Sequence, residues 1–409
     1  MASHALGLYK LSIHREQPYG CADAPERERE SVQLRKAKRS YLAALGVAAA
    51  LACASAPALA DGSADAVTVN GAFSAGTIFT TSGVNAVGSF DSSTGADEST
   101  RTNVTNALLT VSKTTGTLRF GLTAGIYDFP VVGFAGNPTI QKGANTTLFT
   151  PFPSAYVAYA PTSNLTVSAG QQLTLIGSEG VFTYQNVNIQ RGLLWNMEPV
   201  ASRGVRATYT GAKVTAAYEV NDGYYSGTHW AQEGMIGYNT SPSTNVAFAF
   251  ILPQAGTPGN VTAGIANKRE YNLMLTTTAG RWSLTPYLLF VDSPANSGLG
   301  YTVDEHAAGG SLLGSYALTG AWSLGARVEY VKNGSSTTDT SPNADLIGYG
   351  PGSSAWSYTL TPTYRYGHGF FRAEASSVSA SDVAPGIGFG SAGTQSSQFR
   401  LAVEVGASF

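Results

Sequence analysis

The chain ends in RLAVEVGASF, residues 400–409, in which every second residue is apolar. One side of this stretch carries Leu401, Val403, Val405, Ala407 and Phe409. A period of two residues is typical of a β-strand with one apolar face. The ends of soluble domains usually fray in solvent, so a strand that continues to a terminal aromatic residue requires another explanation.

Composition limits the class of protein. Of the 409 residues, 12% are charged and 47 are glycine, whereas soluble globular proteins have about 25% charged residues. The formal net charge is −2, so composition gives no reason to expect nucleic acid or another polyanion as a partner.

The first sixty residues are predicted to be separate from the folded domain. Residues 35–60 combine a basic start, an apolar run and small residues before Asp61, a pattern that predicts a secretory signal peptide cleaved between Ala60 and Asp61. A core helix is the alternative. Residues 1–34 resemble neither a signal nor the rest of the chain, and we expect them to be an upstream extension from a mis-assigned translation start.

Cysteine usage and hydropathy limit the class of protein that residues 61–409 can form. Both cysteines, Cys21 and Cys53, precede the predicted cleavage, so neither a disulfide framework nor a cysteine nucleophile is expected in the mature chain. That chain has sixteen basic and twenty-one acidic residues, a net charge of −5. No later stretch approaches the roughly 18 consecutive apolar residues of a membrane-spanning helix, which leaves a soluble secreted protein or a membrane β-barrel.

Alternating runs continue through residues 66–409. Seven tight turns, such as KTTG (113–116) and TGAW (319–322), alternate with eight longer connections rich in Gly, Ser, Asn and Pro. This alternation predicts sixteen strands with both termini at the short-turn end. Long loops at one end only are typical of outer-membrane barrels, and lipid cannot hydrogen-bond a free sheet edge, so the sheet must close.

We therefore predict an all-β fold: a transmembrane antiparallel up-and-down barrel of about 16 strands, with short periplasmic turns and long extracellular loops. A β-sandwich would have Greek-key connections, and a β-helix would have a short fixed repeat. The strand near residues 67–81 should pair with residues 395–409 to close the barrel. Phe409 would then face lipid, the expected partner of the outer surface. A last strand that ends in Phe also resembles the signal that the barrel-assembly machinery, an expected partner, reads in bacterial outer-membrane proteins. Aromatic residues near strand ends are predicted to form girdles at the two membrane interfaces: Trp282, Trp322, Trp356, Tyr364, Tyr366 and Phe370.

The opposite face of the strands is polar, and sixteen strands enclose a lumen too wide for side chains to fill. Two interpretations of its charges stay open: compensating pairs along the wall, or groups that shape the field that ions cross. The candidate lumen-facing charges are Arg119, Arg206, Lys213, Glu219, Arg327, Glu329, Arg365, Arg372, Glu374, Arg400 and Glu404.

The stretch least like a strand follows the fifth strand, at residues 177–202. It combines Glu179, Arg191, Trp195 and Glu198 with apolar neighbours, unusual company for a solvated loop. We expect it to fold inward and constrict the lumen. A surface hairpin and a contact between protomers are the alternatives.

Within this stretch, NVNIQRGLLW (186–195), followed by RGV (203–205), resembles the β-barrel porin family with OmpL-like members. The resemblance implies an outer-membrane barrel of porin type in a Gram-negative bacterium, and it supplies no catalytic or ligand residues. Porins of the general type are often trimers, so a homotrimer is an expectation, although no sequence feature fixes the oligomeric state.

Catalysis is not expected. The three histidines after residue 61, His229, His306 and His368, lack metal-ligand spacing. DEH (304–306) could ligate a surface cation, but three adjacent residues rarely converge, so no metal or cofactor is predicted. The first functional hypothesis is passive diffusion of ions and small hydrophilic solutes. The alternative is a surface receptor or adhesion barrel with a plugged lumen.

Overall fold

The computed structural model describes residues 66–80, 100–134, 151–224, 230–253, 267–390 and 392–409. The predicted upstream extension, the signal peptide and its cleavage site between Ala60 and Asp61 lie outside the described residues. Those predictions therefore stand as predictions.

The described chain consists of sixteen β-strands and three short 3₁₀ helices, at Thr183–Gln185, Leu194–Asn196 and Ser297–Leu299. Among the described residues, no helix has the length and apolar character to cross a membrane. The strands are β1 (Thr68–Thr80), β2 (Thr100–Lys113), β3 (Leu118–Tyr127), β4 (Ser154–Tyr159), β5 (Leu165–Leu173), β6 (Ala201–Thr210), β7 (Val214–Asn221), β8 (Ala231–Ser241), β9 (Thr244–Pro253), β10 (Arg269–Ala279), β11 (Trp282–Ser293), β12 (Glu305–Ala317), β13 (Trp322–Asn333), β14 (Ser354–Tyr366), β15 (Gly369–Ser381) and β16 (Ser397–Ser408).

Every strand pairs antiparallel with its neighbours in sequence, and β1 pairs with β16, so the sheet is a closed barrel. Short turns follow each even-numbered strand from β2 to β14, and longer connections follow each odd-numbered strand. The predicted sixteen-strand antiparallel barrel is confirmed. Closure removes the sheet edges that would otherwise leave backbone groups unpaired in lipid.

The seam of the barrel lies where its two terminal strands meet. The register runs from Ala72 opposite Ser408 to Thr80 opposite Arg400. Beyond it, Gly71 N donates to Phe409 O and Phe409 N donates to Gly71 O, both at 3.0 Å. A Cβ at Gly71 would lie 2.5 Å from Phe409 Cζ, so the terminal ring occupies the space that the glycine leaves. The predicted pairing of the terminal strands is confirmed.

The outward face of the barrel is apolar. Side chains alternate between the two faces of each strand, and on β16 the outward row includes the exposed apolar residues Leu401, Val403 and Val405. Aromatic pairs also lie on this face, including Trp322 with Tyr364, whose ring centroids are 5.0 Å apart.

The prediction that Phe370 belongs to an aromatic girdle is wrong, because this residue faces the inside of the barrel. It is 4% exposed and shares the inward row of β15 with Arg372 and Glu374. Residues directly opposite each other on paired strands lie on the same face of the sheet. Arg372 lies opposite Thr363 on β14 and Glu404 on β16, which both face inward, so the even-numbered residues of β15 face inward as well. The Phe370 ring lies under the Arg365 guanidinium, with 5.8 Å from Cζ to the ring centroid.

The inward face is less uniformly polar than the sequence predicts. The inward row of β11 includes Tyr287, Leu289 and Val291, all buried. They belong to an apolar cluster with Leu193 and Leu194 from the β5–β6 connection. The inward row can be apolar here because that connection supplies apolar partners, which a single strand pattern does not reveal.

Candidate functional site

The connection between β5 and β6, residues 174–200, carries all four predicted constriction residues, and we call it the β5–β6 segment. Its bounds differ slightly from the predicted 177–202 because β6 begins at Ala201. Asn186 fixes a compact turn within it: Oδ1 accepts from Gly180 N at 2.7 Å, and Nδ2 donates to Gly180 O at 2.8 Å and to Phe182 O at 3.0 Å. The side chain thereby satisfies backbone groups that lack regular secondary structure.

Arg191 joins two parts of the β5–β6 segment. Its guanidinium donates to Gly180 O at 3.0 Å and to Val181 O. It also lies 5.8 Å from the centre of the Trp195 ring. Burial lowers the pKa of Arg191 to about 10, although the nearby Glu179 and Asp128 carboxylates oppose this shift. The side chain therefore remains charged at neutral pH, and its role within the segment is to hold backbone carbonyls together.

Glu179 links the β5–β6 segment to the wall of the barrel. Arg327, on the inward row of β13, contacts Glu179 Oε1 through Nη1 at 2.6 Å, and its Nε lies 3.1 Å from Glu329 Oε2. Glu179 Oε2 also accepts from Gly192 N at 2.8 Å. Burial raises the pKa of Glu179, whereas the Arg327 charge opposes that rise. All three charged groups are almost completely buried.

Two further contacts tie the segment to β13 and β15. Leu193 N donates to Glu329 Oε2 at 2.8 Å, and Gln190 Nε2 donates to Glu374 Oε1 at 2.9 Å. From β16, Arg400 donates to Gln190 Oε1 at 3.1 Å. Side chains from β13, β15 and β16 therefore contact the β5–β6 segment.

Apolar contacts hold the other faces of the segment. Leu193, Leu194 and Met197 belong to the apolar cluster that contains the inward residues of β11. Phe182 and Trp195 belong to a second cluster, in which Phe182 and Tyr127 stack edge to face with 5.3 Å between ring centroids.

Glu198 stands apart from the other charged residues of the segment. It is 7% exposed, and its Oε1 has no hydrogen-bond partner among the described residues. Burial raises the pKa of Glu198 well above its ordinary value, and the negative charges of Glu270, Glu179 and Glu329 raise it further. Gly177 makes room for this carboxyl, since a Cβ there would lie 2.0 Å from Glu198 Oε2.

Ten of the eleven predicted lumen-facing charges lie on inward rows of strands. Lys213 does not: it is exposed in the turn before β7, which begins at Val214. Some of the inward charges form ion pairs with a charge on the neighbouring strand. Arg206 Nε donates to Glu219 Oε2 at 2.6 Å. The ten inward residues are Arg119, Arg206, Glu219, Arg327, Glu329, Arg365, Arg372, Glu374, Arg400 and Glu404.

Sequence reasoning missed inward carboxylates on β8 and β10. Glu233 and Glu270 are fully buried, and they lie opposite Ile251 on the inward row of β9. The alternation of AQEGM places Glu233 on the same face as Ala231 and Met235, so the signal was present in the sequence.

Within the described residues, no group of three or more His, Cys, Asp or Glu side chains could hold a metal ion. The three side chains of the DEH stretch point in different directions. Asp304 Oδ1 accepts from Ala295 N at 2.6 Å, whereas Glu305 and His306 lie on opposite faces of β12, the first buried and the second exposed.

Solved structures share this fold at low sequence identity. The anion-selective porin from Comamonas acidovorans is 12% identical, with a TM-score of 0.54, and the match covers 84% of this chain and 100% of that chain. The outer membrane channel DcaP of Acinetobacter baumannii is 10% identical, with a TM-score of 0.54 and coverage of 84% and 97%. The trimer form of OmpT from Vibrio cholerae is 10% identical, with a TM-score of 0.53 and coverage of 85% and 100%.

Among curated proteins, none matches the chain in sequence. The sequence pattern of one family, described as "Putative beta-barrel porin-2, OmpL-like", matches residues 66–409. This match spans the whole barrel, from the residues before β1 to Phe409. The chain therefore belongs to this family of β-barrel porins of the outer membrane.

Proposed function

We propose that the protein is an outer-membrane channel for passive diffusion of ions and small hydrophilic solutes, narrowed by the β5–β6 segment. The observation that carries the proposal is the binding of this segment to inward-facing side chains, above all the contact of Glu179 with Arg327 at 2.6 Å. A sixteen-strand barrel has a lumen too wide for wall side chains to fill. A segment bound to the wall therefore reduces the cross-section that is open to solutes.

The protein is also proposed to be exported across the inner membrane and inserted into the outer membrane. Export depends on the signal peptide at residues 35–60, and insertion depends on the barrel-assembly machinery, which reads the strand that ends at Phe409. A homotrimer is also proposed, in keeping with the trimer form of OmpT. No catalytic activity and no cofactor form part of the proposal.

A surface receptor or adhesion barrel with a plugged lumen is the second candidate. The apolar cluster inside the barrel favours it, because residues of four further connections, Val132, Tyr224, Tyr349 and Phe389 among them, are buried there with the β5–β6 segment. Such packing is what a plug requires, since a plug must replace water with close contacts.

Conductance across planar lipid bilayers separates the two candidates. The purified protein should first show heat-modifiable migration on a denaturing gel, which establishes that the barrel is folded. A channel gives ohmic single-channel currents, and swelling of liposomes in sugars of increasing size gives its cutoff. A folded barrel without conductance would contradict the diffusion channel and leave the receptor.

A further inference from the structure

Glutamates on four strands hold the β5–β6 segment through its backbone and hydroxyl groups. Glu329, on β13, accepts from Leu193 N at 2.8 Å and from Leu194 N at 3.5 Å. These two amides lie at the start of the second 3₁₀ helix, where they have no partner within the helix. The carboxylate therefore fixes both the position and the direction of this turn.

Glu374, on β15, makes the densest set of contacts with the segment. It accepts from the backbone N–H groups of Ile189 and Gln190 and from the Gln190 side chain. Thr361, on β14, donates to the same carboxylate at 2.9 Å. The side chain is 2% exposed, so water does not compete for these bonds.

Two more carboxylates extend the pattern around the barrel. Glu404, on β16, accepts from the Thr183 hydroxyl. Glu233, on β8, accepts from the Thr174 hydroxyl at 2.6 Å and from Leu175 N. The segment is thus held near its start, its middle and its second 3₁₀ helix.

These bonds are no part of the strand ladders of the barrel. The strand-to-strand ladders of β13 with β14 and of β15 with β16 are continuous on both sides of Glu329 and Glu374. Hydrogen bonds to ionised carboxylates are stronger than bonds between neutral groups, and a segment without regular structure needs partners for its buried N–H groups. The charge on the wall therefore serves the segment more than it serves the sheet.

We propose that Glu329 and Glu374 are positioning residues of the channel, which hold the β5–β6 segment across the barrel and so set its permeability. This inference rests on the proposed function. It assigns to the wall charges a task distinct from selecting ions, because the carboxylates are occupied by the amides of the segment and are not open to solutes.

The test uses the double substitution Glu329→Gln with Glu374→Gln in the full protein. Glutamine keeps the size of the side chain but removes the charge and leaves one acceptor oxygen. The matched control is Glu305→Gln, a buried inward glutamate on β12 whose nearest charged neighbour is Asp339 in the β13–β14 connection. Both proteins must show heat-modifiable migration, so that barrel folding is established.

The first readout is independent of conduction. Leu193→Cys introduces a single thiol after the predicted cleavage site, at a position that is 2% exposed. Its labelling by a water-soluble maleimide should be slow in the otherwise unchanged barrel and at least tenfold faster with both glutamines present. The control should leave the rate unchanged. Equal labelling in folded barrels with and without the two glutamines would overturn the inference.

The second readout is single-channel conductance, which we expect to rise at least twofold in the double variant and to stay unchanged in Glu305→Gln. Faster labelling without conductance in any variant would contradict the diffusion channel while keeping the two glutamates as anchors of the segment. Faster labelling with conductance equal to that of the unchanged protein would overturn their role in permeability.

Discussion

At the scale of single residues, the protonation state of Glu198 is expected to affect the stability of the fold. Its Oε1 has no hydrogen-bond partner among the described residues, and the charges nearest to it are carboxylates. A buried carboxylate without a compensating cation is strongly unfavourable, so the group stays protonated instead. Glu198 thus differs from Glu179, whose charge is balanced by Arg327 at 2.6 Å.

The raised pKa of Glu198 predicts a particular dependence of stability on pH. The unfolded carboxyl ionises near pH 4.3, whereas the folded one ionises at a higher pH because its pKa is raised. Between these two values the unfolded state loses its proton first, so the free energy of unfolding falls as the pH rises. Glu198→Gln should therefore have nearly the stability of the unchanged protein at pH 4 and exceed it at pH 8.

Thermal unfolding in detergent measures this difference, with the loss of heat-modifiable migration on a denaturing gel as the signal of unfolding. Asp382→Asn is the control, since Asp382 is exposed in the connection between β15 and β16. A Glu198→Gln barrel whose midpoint differs from that of the unchanged protein by the same amount at both pH values would show that Glu198 is not a neutral buried acid.

Sequence pattern identifies which residues share a face but not which of them touch. Alternation along β13 places Arg327 and Glu329 together, and their contact at 3.1 Å follows. The same reasoning pairs Arg372 with Glu374, but Arg372 contacts Glu404 on β16 at 3.6 Å. Register between strands decides such contacts, and register depends on the whole barrel.

At the scale of elements, the strands and turns follow from local signals, whereas the β5–β6 segment does not. Each tight turn is a short polar stretch between two alternating runs, so its place is set locally. The apolar residues of the segment indicate that it must be buried, but its partners come from strands far apart in the chain, including Glu233 and Glu374. Such contacts require the closed barrel before they exist.

Deletion of residues 179–199 is expected to increase single-channel conductance and the size cutoff severalfold, because the segment fills part of the lumen in the proposed channel. The barrel should still form, since β5 and β6 pair directly from Leu165 opposite Tyr209 to Leu173 opposite Ala201. Bilayer recordings and liposome swelling measure the change. A folded deletion variant with unchanged conductance would place the segment outside the route of solutes.

A disulfide can fix the segment to the wall without removing it. A Cβ at Gly325, on the inward row of β13, would lie 2.6 Å from Val187 Cγ1, so the Cβ atoms of cysteines at these two positions lie within the reach of a disulfide. Both cysteines of the sequence, Cys21 and Cys53, precede the predicted cleavage site. Oxidised Val187→Cys with Gly325→Cys should cross-link within one chain, seen as a migration shift that a reducing agent reverses. Val187→Cys with Thr208→Cys, on the inward row of β6, is the control that should not cross-link.

At the scale of the whole molecule, closure makes the two ends of the chain one structural unit. The terminal strands are far apart in sequence, yet their pairing is predictable because lipid leaves no tolerated sheet edge. The contents of the barrel are less predictable. Alternation predicts a polar inner wall, but the connections bring Tyr349 and Phe389 inside with Leu289, and the inward rows that meet them are apolar.

The seam provides the final prediction. A Cβ at Gly71 would lie 2.5 Å from Phe409 Cζ and 3.0 Å from Leu108 O, so Gly71→Val should overpack the seam and destabilise the barrel by about 1–3 kcal/mol. Gly320→Val is the control, because nothing lies within 4 Å of a Cβ there. Phe409→Ala removes the ring that valine would strike, so the double variant should lose less stability than the sum of the two single variants. Urea unfolding in detergent gives the three free energies, and strictly additive losses would show that the terminal ring does not occupy the space above Gly71.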